Sequence, residues 1–198
     1  MKNRTGFSAL TLFVVMGLAS MASAAVLNSG AQSVALTATA NESLTVSLTG
    51  STSVNWPAIN PGSDSTDTAN QAGAVPVNVA WRLKNSRASV KVYGYFIDAT
   101  AALAGPTANI PSSAVMIKGG DLGGYSAVNG NPPAGGLSGA AAIGGTLLMR
   151  TVSITNANRN SSDLATYNFA LDLAGGSLPQ LPSETFAGTL YIEAQTTP

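Results

Sequence analysis

The sequence predicts an all-β protein, an antiparallel β-sandwich of immunoglobulin-like or jelly-roll type, and three observations carry that prediction. Short runs of alternating apolar and polar residues recur along the chain, with the period of strands that bury one face. Clusters of Gly, Pro, Asn and Ser separate these runs and suit turns. No segment after the N-terminal leader carries a helical period, and the short run Ala140-Ala-Ala-Ile143 is flanked by glycine, which opposes helix. One-sided strands of this kind hide their apolar faces by packing as two sheets. A transmembrane barrel would call for longer strands and aromatic girdles, whereas this chain is 6% aromatic and ends Gln195-Thr-Thr-Pro198.

Lys2 and Arg4 precede an apolar run from Phe7 to Leu18, and Ala22-Ser23-Ala24 then gives the small-x-small pattern of a secretory cleavage site. The expectation is a signal peptide over 1–24 and a single β-sandwich domain over 25–198. The apolar run is short of the ~20 residues that cross a bilayer, so no transmembrane segment is expected after cleavage. Export would place the mature chain in the periplasm, at the cell surface or outside the cell. Such a compartment permits disulfides, yet the chain has no cysteine and must hold together by packing. Loss of Lys2 and Arg4 leaves seven basic residues against nine acidic ones. The cluster Arg82, Lys84, Arg87 and Lys91 fits a solvated strand end beside a turn, so nucleic acid is not an expected partner.

Along the mature chain, Ser33–Ala38 and Ser43–Leu48 alternate cleanly and predict a hairpin turning at Asn41-Glu42. Ser53–Trp56 predicts a short strand, and residues 57–73 a polar loop. The centre of the domain is expected at Val75–Leu83 and Ala88–Ile97. Val75, Val77, Val79, Trp81 and Leu83 fall on every second position, and four polar residues, Lys84 to Arg87, suit the loop of a second hairpin. Trp81, Tyr93, Tyr95 and Phe96 would then supply a core nucleus. Residues 98–111 look irregular, and Ser113–Lys118 predicts a strand. The stretch 119–145 is so rich in glycine that ordering it is costly, which predicts a long Gly-rich surface loop. Strands resume at Leu147–Thr155 and, after a turn over 156–162, at Leu164–Leu173, with Tyr167, Phe169, Leu171 and Leu173 on one face. Gly175-Gly176 with Pro179 and Pro182 breaks the chain before a last strand, Phe186–Gln195.

Histidine and cysteine are both absent. Ser-His-Asp and Cys-His catalysis, zinc sites of the usual ligands, His- or Cys-ligated haem and iron–sulfur clusters are therefore excluded. The remaining carboxylates Asp163, Asp172, Glu184 and Glu193 are expected on solvated faces or at turns, with no opposed pair for glycoside hydrolysis. No enzymatic activity and no cofactor are expected. Asp64 and Asp67, in Asn60-Pro-Gly-Ser-Asp64-Ser-Thr-Asp67, are candidate calcium ligands because hard cations take oxygen donors, although the spacing matches no defined calcium loop. Trp56 and Tyr125 are candidates for stacking on carbohydrate. Val34, Leu36 and Ala38 are candidates for pairing with a neighbouring subunit, since an added strand brings main-chain hydrogen bonds and side-chain pockets together.

The export signal, the Ser/Thr-rich strands and the ending Phe186-Ala-Gly188-Thr-Leu190-Tyr-Ile-Glu-Ala-Gln195 resemble secreted bacterial surface β-sandwiches of the fimbrial or spore-coat-U-like kind, whose last strand often follows an aromatic-x-Gly-x-aliphatic pattern. Pilins of that kind commonly carry a disulfide, which this chain lacks. Trp81-Arg-Leu83 resembles the Trp-x-Leu signature of WxL domains, although the last strand has Tyr191-Ile-Glu193 where those domains carry a second copy. The resemblance implies a structural or adhesive surface protein that acts on other proteins or on its own copies. The alternative expectation is a carbohydrate-binding module.

Overall fold

A computed structural model describes residues 35–56, 59, 72–174 and 178–198. Its described residues form an all-β, antiparallel sandwich, built by residues 40–198. Ten strands appear: β1 (Ser43–Leu48), β2 (Ala72–Arg82), β3 (Ser89–Tyr95), β4 (Leu103–Ala104), β5 (Asn109–Ile110), β6 (Val115–Gly119), β7 (Leu122–Ala127), β8 (Thr146–Ser153), β9 (Asn160–Leu171) and β10 (Tyr191–Thr197). Helix is confined, among the described residues, to the 3-10 turns Ser112–Ala114 and Leu178–Gln180. One sheet has the order β1-β2-β9-β6-β7 and the other β10-β3-β8, with β4-β5 as a small ribbon. A single core joins the sheets. Val75, Val77, Val79 and Trp81 of β2, Val115 and Ile117 of β6, and Tyr167, Phe169 and Leu171 of β9 meet Val90 and Val92 of β3 and Met149 of β8. The alternation that predicted these strands is thus the alternation that buries them.

Pairing departs from expectation in two places. β2 and β3 are not a hairpin: β2 lies between β1 and β9, and β3 lies between β10 and β8, in the opposite sheet. The link Leu83–Ala88 carries the chain from one layer to the other, because both strands have enough apolar side chains to be central. Residues 35–40 have no regular structure, so β1 has no hairpin partner there. It pairs instead with β2, where Leu44 sits opposite Trp81 and Val46 opposite Val79, larger apolar partners than Leu36 and Ala38 would offer. Ser53–Trp56 is likewise not a strand, whereas residues 98–111 hold the β4–β5 ribbon. β9 begins at Asn160, inside the expected turn, and the last strand begins only at Tyr191. Upstream of it, Ala187 bridges to Ala104.

The Gly-rich loop expected over 119–145 is also corrected. Its first part is a hairpin, in which Leu122–Ala127 pairs with β6 at the edge of the larger sheet. Gly119 (φ 127°) and Gly120 (φ 61°) make the reversal, in backbone conformations closed to most side chains. The remainder is laid over the outer face of β10 and β3. Ser138 donates its backbone N–H and its hydroxyl to Glu193, and the Gln195 amide donates to the Gly136 carbonyl at 2.9 Å. Gly139 rests against the Tyr95 hydroxyl, where a Cβ would collide. Tyr93, Tyr95 and Thr146 are consequently buried although they face away from the main core.

Candidate functional site

The two sheets leave four outer strands, β1, β7, β8 and β10. That of β8 is capped: Gly130 exchanges backbone hydrogen bonds with Thr146, the Asp121 N–H donates to the Met149 carbonyl at 3.1 Å, and the Asp121 carboxylate accepts the Thr151 N–H. β7 carries Gly123 and Gly124, which offer a neighbour no side chain to grip. β1 and β10 are different. They run beside each other, one from each sheet, without pairing, so the sandwich has a seam between them. Leu44 and Val46 of β1 and Ile192 and Ala194 of β10 pack on the core but remain half-buried, and Leu48 is exposed. The seam contains a cleft of about 190 Å³ lined by Glu42, Ser43, Leu44, Leu83, Arg87 and Thr196.

Glu42 closes one end of that cleft. Its carboxylate accepts the Lys84 backbone N–H at 3.0 Å and the Arg87 Nε–H and Nη2–H at 3.2 and 3.3 Å, with Lys84 Nζ at 3.6 Å. The Arg87 guanidinium first, and the Lys84 amide next, hold Glu42 down at about 2, well below the usual carboxylate range. The interaction ties the crossover between β2 and β3 to the start of β1. Arg159 extends it by donating to the Lys84 and Arg87 carbonyls.

A second charged cluster lies between the sheets. Arg150 of β8 pairs with Val92 and Asp163 of β9 pairs with Val79, so both side chains point inward. Arg150 grips Asp163 through Nε at 2.6 Å and Nη2 at 2.9 Å, and reaches Asp121 through Nη1 at 2.9 Å. A fork of this shape matches a carboxylate well. The Asp163 hydrogen bond also raises the guanidinium above its ordinary value. The expectation that Asp163 sits on a solvated face is therefore corrected.

The other described carboxylates also serve the backbone. Glu184 accepts the Thr107 and Ala108 N–H groups, and Asp98 accepts those of Thr100 and Ala101. Among the described residues no group of three or more acidic side chains is arranged to hold a metal ion.

Asp64, Asp67 and Val34 lie outside the described residues. Leu36 is 90% exposed and Ala38 is exposed. Trp56 is half-buried and packs with Val54 and Ile59 against the core, its Nε1 buried without a hydrogen-bond partner. Tyr125 stands half-buried on β7, with Lys118 Nζ 5.8 Å from its ring centre. The structure does not join it to Trp56 as a stacking pair; the described ring pair is Tyr95–Tyr191, with centroids 5.5 Å apart. Trp81 is core, as its alternation implies, and its indole N–H donates to the Asn158 carbonyl at 2.7 Å. The seam and the Arg150 cluster were not singled out from sequence. For Asp163 the signal was present, since it shares the parity of Tyr167, Phe169 and Leu171. No protein-family model matches the chain, and no curated protein matches it.

Proposed function

We propose that this chain is an exported, non-enzymatic surface or extracellular protein that works by protein–protein contact, contact between its own copies included. The observation that carries the reading is the seam: two edge strands whose outer sides pair with no other strand among the described residues, and whose apolar side chains are half-buried, lie next to each other. Unpaired strand edges are ready templates for another strand. The segment preceding β1 offers one, with Val34, Leu36 and Ala38 on alternate positions. The carboxylates and tryptophans that an enzyme or a sugar-binding site would draw on are mostly committed to holding loops and core.

The test is light scattering and electron microscopy on the chain starting at Ala25, beside a form lacking residues 25–40. Concentration-dependent multimers from the first, and a folded monomer from the second, are the expected results. A monomer at every concentration for the first form, or multimers undiminished by the deletion, would count against the strand-pairing reading.

A further inference from the structure

The charges of the sandwich are sorted by end. β2 ends at Arg82, β3 begins at Ser89, β8 ends at Ser153 and β9 begins at Asn160, so the loops 83–88 and 154–159 share one end of the molecule. Hydrogen bonds from Leu83 N–H to the Arg159 carbonyl and from Ile154 N–H to the Ala88 carbonyl, both 2.8 Å, fasten them together. Arg82, Lys84, Arg87 and Arg159 lie there, with Lys91 two residues further along β3. Those are five of the seven described Lys and Arg residues. Against them stands Glu42, so the end is net positive. Of the other two cations, Arg150 lies three residues in from the end of β8 and is matched there by Asp163 and Asp121, and Lys118 lies beside Tyr125.

The opposite end is its complement. Asp98 follows β3, Asp172 follows β9, and Glu184 is bonded to the β4–β5 turn. Among the described residues none of the three has a cationic partner, and no described Lys or Arg lies at that end. Asp98 and Asp172 are also too far from the cationic end to be neutralised by it. The 11 residues of β2 span about 35 Å, several times the Debye length of about 8 Å at physiological salt.

We propose that copies of this chain associate head to tail, with the cationic end of one sandwich docked on the anionic end of the next. The proposal rests on the reading that copies contact one another, and adds which surfaces meet. A second copy is the occupant because the same molecule carries both complementary faces. Docking of unlike faces is heterologous, so it builds a filament, or a ring where the rotation between copies closes, rather than a two-fold symmetric dimer. β1 also starts at the cationic end, its Ser43 opposite Arg82 of β2. Charge complementarity also steers encounter and suppresses wrong pairings.

The experiment uses the chain from Ala25, followed by sedimentation velocity at about 20 mM and about 500 mM NaCl, where screening differs severalfold. Two variants accompany it: Arg82→Glu with Lys84→Glu and Lys91→Glu, and Asp98→Lys with Asp172→Lys, each checked for an unchanged circular dichroism spectrum. Association is expected to weaken by about tenfold or more at high salt and to be lost in either variant alone. Mixing the two variants should restore it, because the reversed ends again complement each other. A variant that does not fold is replaced by its single substitution, Lys84→Glu or Asp172→Lys. Multimers indifferent to salt and to both reversals would overturn head-to-tail docking while leaving self-contact standing. A monomer under all conditions would remove both. Salt-dependent association that the Asp98 and Asp172 reversal leaves intact would also overturn the proposal, since another anionic surface would then be the partner.

Discussion

Replacing Arg150 by Leu should destabilise the sandwich by leaving the Asp163 carboxylate facing inward without its cation. Arg150 and Asp163 are 28% and 24% exposed at the side chain, so they are neither fully buried nor freely solvated. Breaking a fully buried pair costs about 3–5 kcal/mol, and an exposed pair contributes about 0–1 kcal/mol. The bidentate contact at 2.6 and 2.9 Å lies between these limits, so a loss of about 2 kcal/mol is expected. For a domain of this size that lowers Tm by about 4–8 °C. Thermal and urea unfolding would measure it. The double variant Arg150→Leu with Asp163→Leu supplies the control. Removing both charges leaves no orphan and adds apolar contact, so it should recover to within about 1 kcal/mol of the parent. A single variant as stable as the parent would show that the inward carboxylate does not need its cation. So would a double variant no better than the single one, because the loss would then lie in the Arg150 stem rather than in the stranded carboxylate. Asp121 is 46% exposed, and its contribution should be much the smaller of the two.

A Cβ added at Gly188, the glycine of the Phe186-Ala-Gly-Thr-Leu190 pattern, would collide with the Ala102 backbone carbonyl, which cannot turn aside. Gly188→Ala should therefore cost about 1–3 kcal/mol in a urea titration, and an unchanged midpoint would show that the β4 region yields freely. Glu42 has a folded pKa of about 2 against an ordinary 4.5, so the stability it contributes is complete above pH 4.5 and is lost as pH falls towards 2. The Tm difference between the parent and Glu42→Gln should hold steady above that window and shrink through it. A difference that persists unchanged to pH 2 would mean that Arg87 and Lys84 do not act on the Glu42 charge.

Local chemistry was legible in the sequence because it has a short reach. The period of two in Val75–Leu83 and in Leu164–Leu173 decided which side chains enter the core, and Trp81, Tyr167, Phe169, Leu171 and Leu173 are buried accordingly. The same parity carries Asp163 to the inner face, where its type alone suggested solvent. What a strand pairs with is a different matter. Nothing local in β2 and β3 distinguishes a hairpin from a crossing between sheets. Four polar residues suit either connection, and the decision rests on β9 and β8, which lie about 50 or more residues further along and pair with β2 and β3 respectively. The stretch 119–145 shows the same division. Its glycine content is a property of the sequence, but whether glycine means a free loop or a close approach depends on what lies opposite. At Gly119 and Gly139 that is the Thr166 carbonyl and the Tyr95 hydroxyl. An all-β chain with one-sided strands, and a chemistry without histidine or cysteine, follow from the order of residues alone. Strand order, the seam between β1 and β10 and the sorting of charge to opposite ends emerge on folding, because each depends on contacts between residues far apart in the chain.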